Sequence, residues 1–161
     1  CLGAFLPLIV GEGDSAAAAP PRTYWAMTAH NFAKSYYAPA LMRPLSFARG
    51  LRFFFGDQAM FTRLSDLEEV GGFDESLKLM EDGELCVRMH MRLRGRGRGR
   101  QCMVGQVAET SGRRFDKFGE LHMTLVHFAI GIVWYFAVEN FSLIHTDDLA
   151  KLCARLYPDV R

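Results

Sequence analysis

The chain has 161 residues, enough for one domain with its own core. Half of the residues are hydrophobic and 23% are charged, the balance of a globular protein. A net charge of +1 excludes a global field that would draw nucleic acid or anionic lipid. The charge is nevertheless uneven, because residues 88–100 carry Arg88, Arg92, Arg94, Arg96, Arg98 and Arg100 without one acid. The cysteines Cys1, Cys86, Cys102 and Cys153 form no C-x-x-C pair and no zinc-ligand spacing with histidine, so they read as reduced thiols.

Residues 1–10, CLGAFLPLIV, are apolar but lack the basic flank of a signal peptide. They are expected to form a buried strand, met in the middle of a larger fold. The small and Pro/Gly-rich stretch Gly11 to Pro21 reads as a loop. From Thr23 to Tyr37 the spacing of Trp25, Thr28, Ala29, Phe32 and Tyr36 predicts a helix with that set as its apolar face. Pro39 and Pro44 are then expected to interrupt the chain. Arg43, Arg49 and Arg52 with Tyr36 and Tyr37 make a basic and aromatic surface, either solvated or a contact for an acceptor or phosphate.

The stretch 56–94 is the richest in chemistry. Phe53–Phe55 leads into Gly56, and Ala59 to Phe61 is expected to form a short strand. Ser65-Asp66-Leu67-Glu68 has the form of a capping box, and Gly71-Gly72 a helix stop. Phe73 is expected to dock into the core. A second helix starts near Asp82, with acids in its first turn, arginines in its last, and a stripe of Leu85, Cys86, Met89 and Leu93. Glu84 and Arg88 form an i,i+4 pair, and Gly95 is the expected stop.

The alternation GRGRGR at residues 95–100 is like an RNA-binding RG segment, but it also reads as a solvated connection. Gln101 to Ala108 is a strand, followed by a polar turn that contains Arg113 and Arg114. Residues 121–138 are the most hydrophobic stretch, near the lower limit for a membrane span. His122 and His127 argue for a helix packed on the domain or a partner, or lying in a membrane interface. Thr146-Asp147-Asp148 caps a last helix with Leu149, Leu152, Cys153 and Leu156 on one face, and the chain ends in Tyr157 to Arg161.

Three segments in this order carry a resemblance. They are Gly56-Asp57-Gln58-Ala59-Met60-Phe61-Thr62-Arg63, then Gly71-Gly72-Phe73-Asp74-Glu75, then Glu81-Asp82-Gly83-Glu84-Leu85-Cys86-Val87-Arg88. Together they resemble the C-terminal half of a family 2 glycosyltransferase with the GT-A fold. Thr110 to Arg114 and the ending Leu156 to Arg161 are similar to the branch of selenodomain-associated transferases. The resemblance spans 53–119 and returns over 145–161. It implies an α/β fold, the C-terminal half of a Rossmann-like nucleotide-diphospho-sugar transferase with added helices. Residues 1–120 would be the acceptor-side part and 121–161 a helical extension of the same domain. No D-x-D motif occurs in the sequence. The expectation is therefore a fragment that begins after that motif and is inactive alone.

The resemblance further implies inverting transfer of a sugar from a nucleotide-sugar donor to an acceptor hydroxyl, with Asp82 as the base that takes the hydroxyl's proton. Glu81 would hydrogen-bond the acceptor or the backbone, and Asp57 and Gln58 would line the donor-sugar or acceptor pocket. Arg113 and Arg114 would neutralise the leaving diphosphate or an anionic acceptor. Mg²⁺ or Mn²⁺ would assist in the whole enzyme, with its ligands mostly outside this chain, and His122 is a further candidate for metal or phosphate contact. Without the resemblance, Glu81 and Asp82 are simply carboxylates favoured at a helix N-terminus, and Asp57 caps a turn. The rival reading is a non-enzymatic module that binds RNA, membrane or a protein through the RG run and the 121–138 helix. The transferase reading expects no specific nucleic acid and a cytoplasmic location, peripheral to a membrane if the 121–138 helix lies in the interface.

Overall fold

In a computed structural model of the chain, residues 2–11, 22–136, 143 and 146–156 are described. The expected loop beyond Gly11, the terminal Tyr157–Arg161 and Cys1 lie outside the described residues. The chain is mixed α/β, with a two-stranded parallel sheet of β1 (Leu2–Val10) and β2 (Gln101–Ser111). The helices are α1 (Trp25–Met42), α2 (Pro44–Ala48), α3 (Leu64–Val70), α4 (Glu81–Leu93), α5 (Arg113–Phe118), α6 (Glu120–Val133) and α7 (Thr146–Leu156). Short 3₁₀ turns cover Gly56–Gln58 and Arg94–Arg96. No helix among the described residues is long and apolar enough to cross a membrane.

The chain folds as two compact units. The first takes in the residues up to Pro7, Asn31–Ser76 and Met80–Thr110; the second takes in Leu8–His30, Leu77–Leu79 and the residues from Ser111 onward. The core of the first unit is built from β1, the segment Leu51–Phe55, Val70 at the end of α3, and the stripe Leu85, Cys86, Met89 and Leu93 of α4. That stripe is the one its 3-and-4 spacing predicts.

Leu51–Phe55 is buried but belongs to neither helix nor strand, so its amides need partners from elsewhere. The Arg52 amide donates to Gln101 Oε1 (2.7 Å) and the Phe53 amide to the Ser35 carbonyl (3.2 Å). The Phe54 amide donates to Cys86 Sγ (3.3 Å) and the Phe55 amide to Gln58 Oε1 (2.9 Å). Three side chains and one helix carbonyl thus do for this segment what a neighbouring strand does in a sheet. Burial pushes the Cys86 thiol up to about 12, which keeps it protonated in this role. Cys86, Cys102 and Cys153 are free thiols.

Several local expectations are corrected. Pro39 does not interrupt α1 but lies inside it, whereas the interruption expected at Pro44 is present: α1 ends at Met42 and Pro44 opens α2, where its missing N–H costs nothing. The face of α1 predicted to be buried is the outward one: Trp25 and Phe32 are exposed, whereas Met27, Asn31 and Ser35 are buried. Ser65 caps nothing, because α3 starts one residue earlier with Arg63 at its N-cap. Ala59 to Phe61 forms no strand; only Phe61 bridges, to Gly3. Phe73 is exposed instead of docked.

Helix α3 does end at Gly71, in the left-handed region at φ 90°. The Gly71 and Gly72 amides close back on Glu68 and Leu67, a Schellman arrangement. Arg88 fastens this end to α4. Its guanidinium donates to the carbonyls of Val70 and Gly72 (2.7 Å each) while it pairs with Glu84 (2.6 Å). Helix α4 ends at Leu93, before Gly95, and a 3₁₀ turn over Arg94–Arg96 carries the chain past that glycine. Gly97 takes φ 70°, and the Arg98 amide returns to the Leu93 carbonyl.

The RG run that follows is only partly solvated. Arg98 pairs with the buried Asp66 and with Glu69, and Arg96 pairs with Glu69. The buried His90 meets the Gly99 carbonyl through Nδ1 (2.8 Å). A carbonyl can only accept, so Nδ1 carries the proton.

In the second unit Ile9, Tyr24, Met27, Phe115 and Met123 form the core. The Tyr24 hydroxyl donates to Asp116, and burial leads the causes that push it up to about 12. Helix α1 has no acid in its own first turn, and Glu120 supplies one. Its Oε1 accepts from the amides of Ala26 (2.9 Å) and Met27 (3.2 Å), which cap the start of α1 with a negative charge. Helix α6 buries Met123, Val126 and Ile130, and α7 buries Leu149 and Cys153, while Leu152 is exposed.

Candidate functional site

The first unit gathers Asp57, Gln58, Glu81 and Asp82 from two places in the chain. The turn Gly56–Gln58 supplies one pair and the first turn of α4 the other. What joins them is the Asp82 carboxylate. Its Oδ2 accepts from the Gly56 amide (3.0 Å) and its Oδ1 from the Gly83 amide (2.7 Å).

The turn is anchored from beneath by α1. Gln58 is fully buried, and its side chain is consumed inside the protein. Its Oε1 accepts from the Phe55 amide, and its Nε2 donates to Ser35 Oγ (2.9 Å). The Ser35 hydroxyl donates in turn to the Asn31 carbonyl (3.3 Å). Gln58 therefore acts as the internal peg of the turn. Asp57, next to it, also reaches α1, and its carboxylate accepts from Asn31 Nδ2. The inward face of α1 is polar here because it holds this turn in place.

Lys34 completes the group, one helical turn beyond Asn31. Its ammonium sits over the Phe55 ring, 3.7 Å from the centroid. Burial pulls its proton affinity down, and the charges of Asp57 and Asp82 oppose that. Burial likewise raises Asp57, against the pull of Lys34, its own amide and Asn31. Asp82 is pushed up to about 6, first by burial and then by the charge of Glu81. The Gly83 and Gly56 amides and Lys34 act in the opposite sense. Two carboxyls and one ammonium thus share a partly desolvated place, and one of the carboxyls is pushed up to about 6.

The backbone on both sides of the pair is unusual. Ala59, directly after the turn, has φ 44°, and Met80, directly before α4, has φ 63°. These are the two non-glycine residues with positive φ among those described. Such a conformation costs on the order of 1 kcal/mol or more and tends to persist at functional sites. Glu81 and Asp82 follow each other on the helix and so face different ways, as the sequence expects: Glu81 is exposed and Asp82 is half-buried.

Arg113 and Arg114 belong to the second unit, where they open α5, and both are exposed. His122 is exposed on α6. In the first unit, the cationic and aromatic set near α2 is partly assembled: Arg52 lies over the rings of Phe47 (4.4 Å) and Tyr36 (5.3 Å). Sequence reasoning missed Lys34 and Asn31. The available signal was the row Asn31, Lys34, Ser35 at helical spacing, which reads as a wet face unless the exposed Trp25 and Phe32 are assigned outward.

Among the described residues no three His, Cys, Asp or Glu side chains converge on a point, so they build no divalent-metal site. The acids of the candidate site are instead neutralised by Lys34 and by backbone amides. Comparison with protein-family models, with curated proteins and with solved structures returns no match for this chain.

Proposed function

We propose that the chain supplies the acceptor-side base of an inverting glycosyltransferase of family 2 and the GT-A fold. The observation that carries this reading is Asp82, a half-buried carboxylate held by two backbone amides and raised to about 6. A base of that affinity is ionised at neutral pH and takes a proton readily. The motif resemblance at Gly56–Arg63, Gly71–Glu75 and Glu81–Arg88 supports the same residue for the same role.

In this mechanism the acceptor hydroxyl hydrogen-bonds the remaining lone pair of an Asp82 oxygen. Its oxygen attacks the anomeric carbon as its proton passes to Asp82. The carbon–oxygen bond to the nucleoside diphosphate breaks, and that electron pair leaves with the diphosphate. Inversion requires only this one carboxylate in a covalent or proton-transfer role. Asp57, held by Asn31, accepts a hydrogen bond from a neighbouring hydroxyl of donor or acceptor. Glu81 meets solvent or acceptor. The charge of Lys34 opposes the burial that raises Asp57 and Asp82. Arg113 and Arg114 belong to the second unit and are given no part in this step. Mg²⁺ or Mn²⁺ would neutralise the diphosphate in the whole enzyme, but the described residues do not form its site and no step here passes through it.

The test is turnover by the full gene product on UDP-, GDP- and dTDP-sugars, read as acceptor-dependent release of nucleoside diphosphate. Asp82→Asn is expected to lower that release by about 100-fold or more. Equal release by both proteins removes Asp82 as the base, and no release from any donor removes the transferase reading.

A further inference from the structure

We infer that α6 is an in-plane anchor for an anionic lipid surface. The helix is apolar on both its buried and its outer face. Met123, Val126 and Ile130 point into the second unit. On the outer face, Leu121, Leu125, Phe128 and Ile132 recur at spacings of four and three, and Phe136 continues the row. These five side chains are between 44% and 73% exposed. No charged residue interrupts the chain from Leu121 to Phe136. A helix of 14 residues presents this row over about 21 Å. Isolated exposed leucines need no explanation, but a continuous row of this length marks an interaction surface.

Charge identifies the occupant. The segment 111–136 contains two acids, Asp116 and Glu120, and both are engaged within the protein. Asp116 accepts from the Tyr24 hydroxyl, and Glu120 caps the first turn of α1. The three cations of the same segment, Arg113, Arg114 and Lys117, lie on α5 and are all exposed. The exposed charges of α5 are these three cations and one acid, Asp116, so its surface is basic on balance. Basic residues beside a row of Leu, Phe and Ile are the pattern of a helix lying at the headgroup boundary of an anionic bilayer. Since no described helix can cross a bilayer, the contact is lateral. It turns the second unit's surface to the lipid and uses none of the residues assigned to the base and its neighbours on α1 and α4.

The experiment is cosedimentation of the full chain with vesicles of phosphatidylcholine alone and of equal phosphatidylcholine and phosphatidylglycerol, at low and high salt. Binding to the mixed vesicles is expected, at least ~10-fold stronger than to phosphatidylcholine and weakened by salt. Leu125→Glu with Phe128→Glu should lower it by about 10-fold or more while the circular dichroism spectrum is kept. Leu125→Gln with Phe128→Gln is a milder pair with the same expected direction. Each of Arg113→Gln, Arg114→Gln and Lys117→Gln should lower it roughly 5-fold. Absent binding, equal binding to both vesicle types, or binding that survives the folded Leu125/Phe128 variants overturns the proposal. So does a concentration-dependent dimer that these variants dissolve without any vesicle binding, which would make a second copy the occupant.

Discussion

Asp82 accepts a hydrogen bond from the backbone amide of Gly56, 26 residues earlier, at 3.0 Å. This one contact ties the start of α4 to the Gly56–Gln58 turn and brings the carboxyls of Asp57 and Asp82 under the influence of one ammonium, that of Lys34.

The first consequence is a pH-dependent stability. Asp82 is raised in the folded protein, chiefly by burial, to about 6 from an unfolded value near 3.8. A carboxyl raised in this way favours the folded state when protonated. Its contribution is complete below the unfolded value and is lost as pH rises through the folded one. Between pH 4 and pH 6 the wild type should therefore lose about 1–3 kcal/mol relative to Asp82→Asn. Urea unfolding of both proteins at several pH values measures this. Parallel curves would remove the raised affinity.

A second prediction separates the glycines of the RG run. A Cβ on Gly99 would lie 2.6 Å from the His90 carbonyl oxygen and 2.6 Å from the Arg94 nitrogen, both backbone atoms that cannot swing aside. Gly95 faces open space. Gly99→Ala should cost about 1–3 kcal/mol, the range for overpacking, and Gly95→Ala should be near neutral. Denaturant titration of the two variants decides it. Equal effects would mean that the run is a loose linker after all.

The arginines of that run have a structural duty as well. Arg98 is partnered with Asp66, which is fully buried, and its other nitrogen reaches Glu69 at 2.9 Å. Arg98→Met removes one of the cations that hold the Asp66 carboxylate and should lower stability. Asp66→Asn in the same chain should recover part of the loss. If Arg98→Met is as stable as the wild type, the pair contributes nothing and the side chain is available for other partners.

Helix α4 was legible in the sequence because local signals agree there. Its acids stand in the first turn, its arginines in the last, and its buried stripe keeps helical spacing. The glycine stop of α3 was legible for the same kind of reason, since Gly71 alone in that helix takes positive φ without cost. Helix α1 was legible as a helix but not in orientation. Periodicity counts apolar side chains, yet here Trp25 and Phe32 are outward while Asn31 and Ser35 are inward, because they hold Asp57 and Gln58. That choice is made by residues 23 to 26 positions away, and no window of one helix contains it.

The candidate site shows the same division. Asp57, Gln58, Glu81 and Asp82 stood out as motif residues, and the resemblance gave Gln58 the same pocket-lining task as Asp57. Gln58 is an internal peg, and Asp57 and Asp82 meet the solvent side. Ser65 failed as a cap because α3 starts at Leu64, with Arg63 as its N-cap. Lys34 stayed invisible because a lysine on a helix is most often solvated. Only the Phe55 ring and two distant acids give this one a place.

The central claim is that Asp82 is a carboxylate poised to exchange a proton near neutral pH. The direct measurement is the ¹³C chemical shift of its carboxyl carbon against pH in the full chain, assigned by its loss in Asp82→Asn. A midpoint near 6 is expected. A midpoint near 4, the ordinary value for an aspartate, would contradict the account.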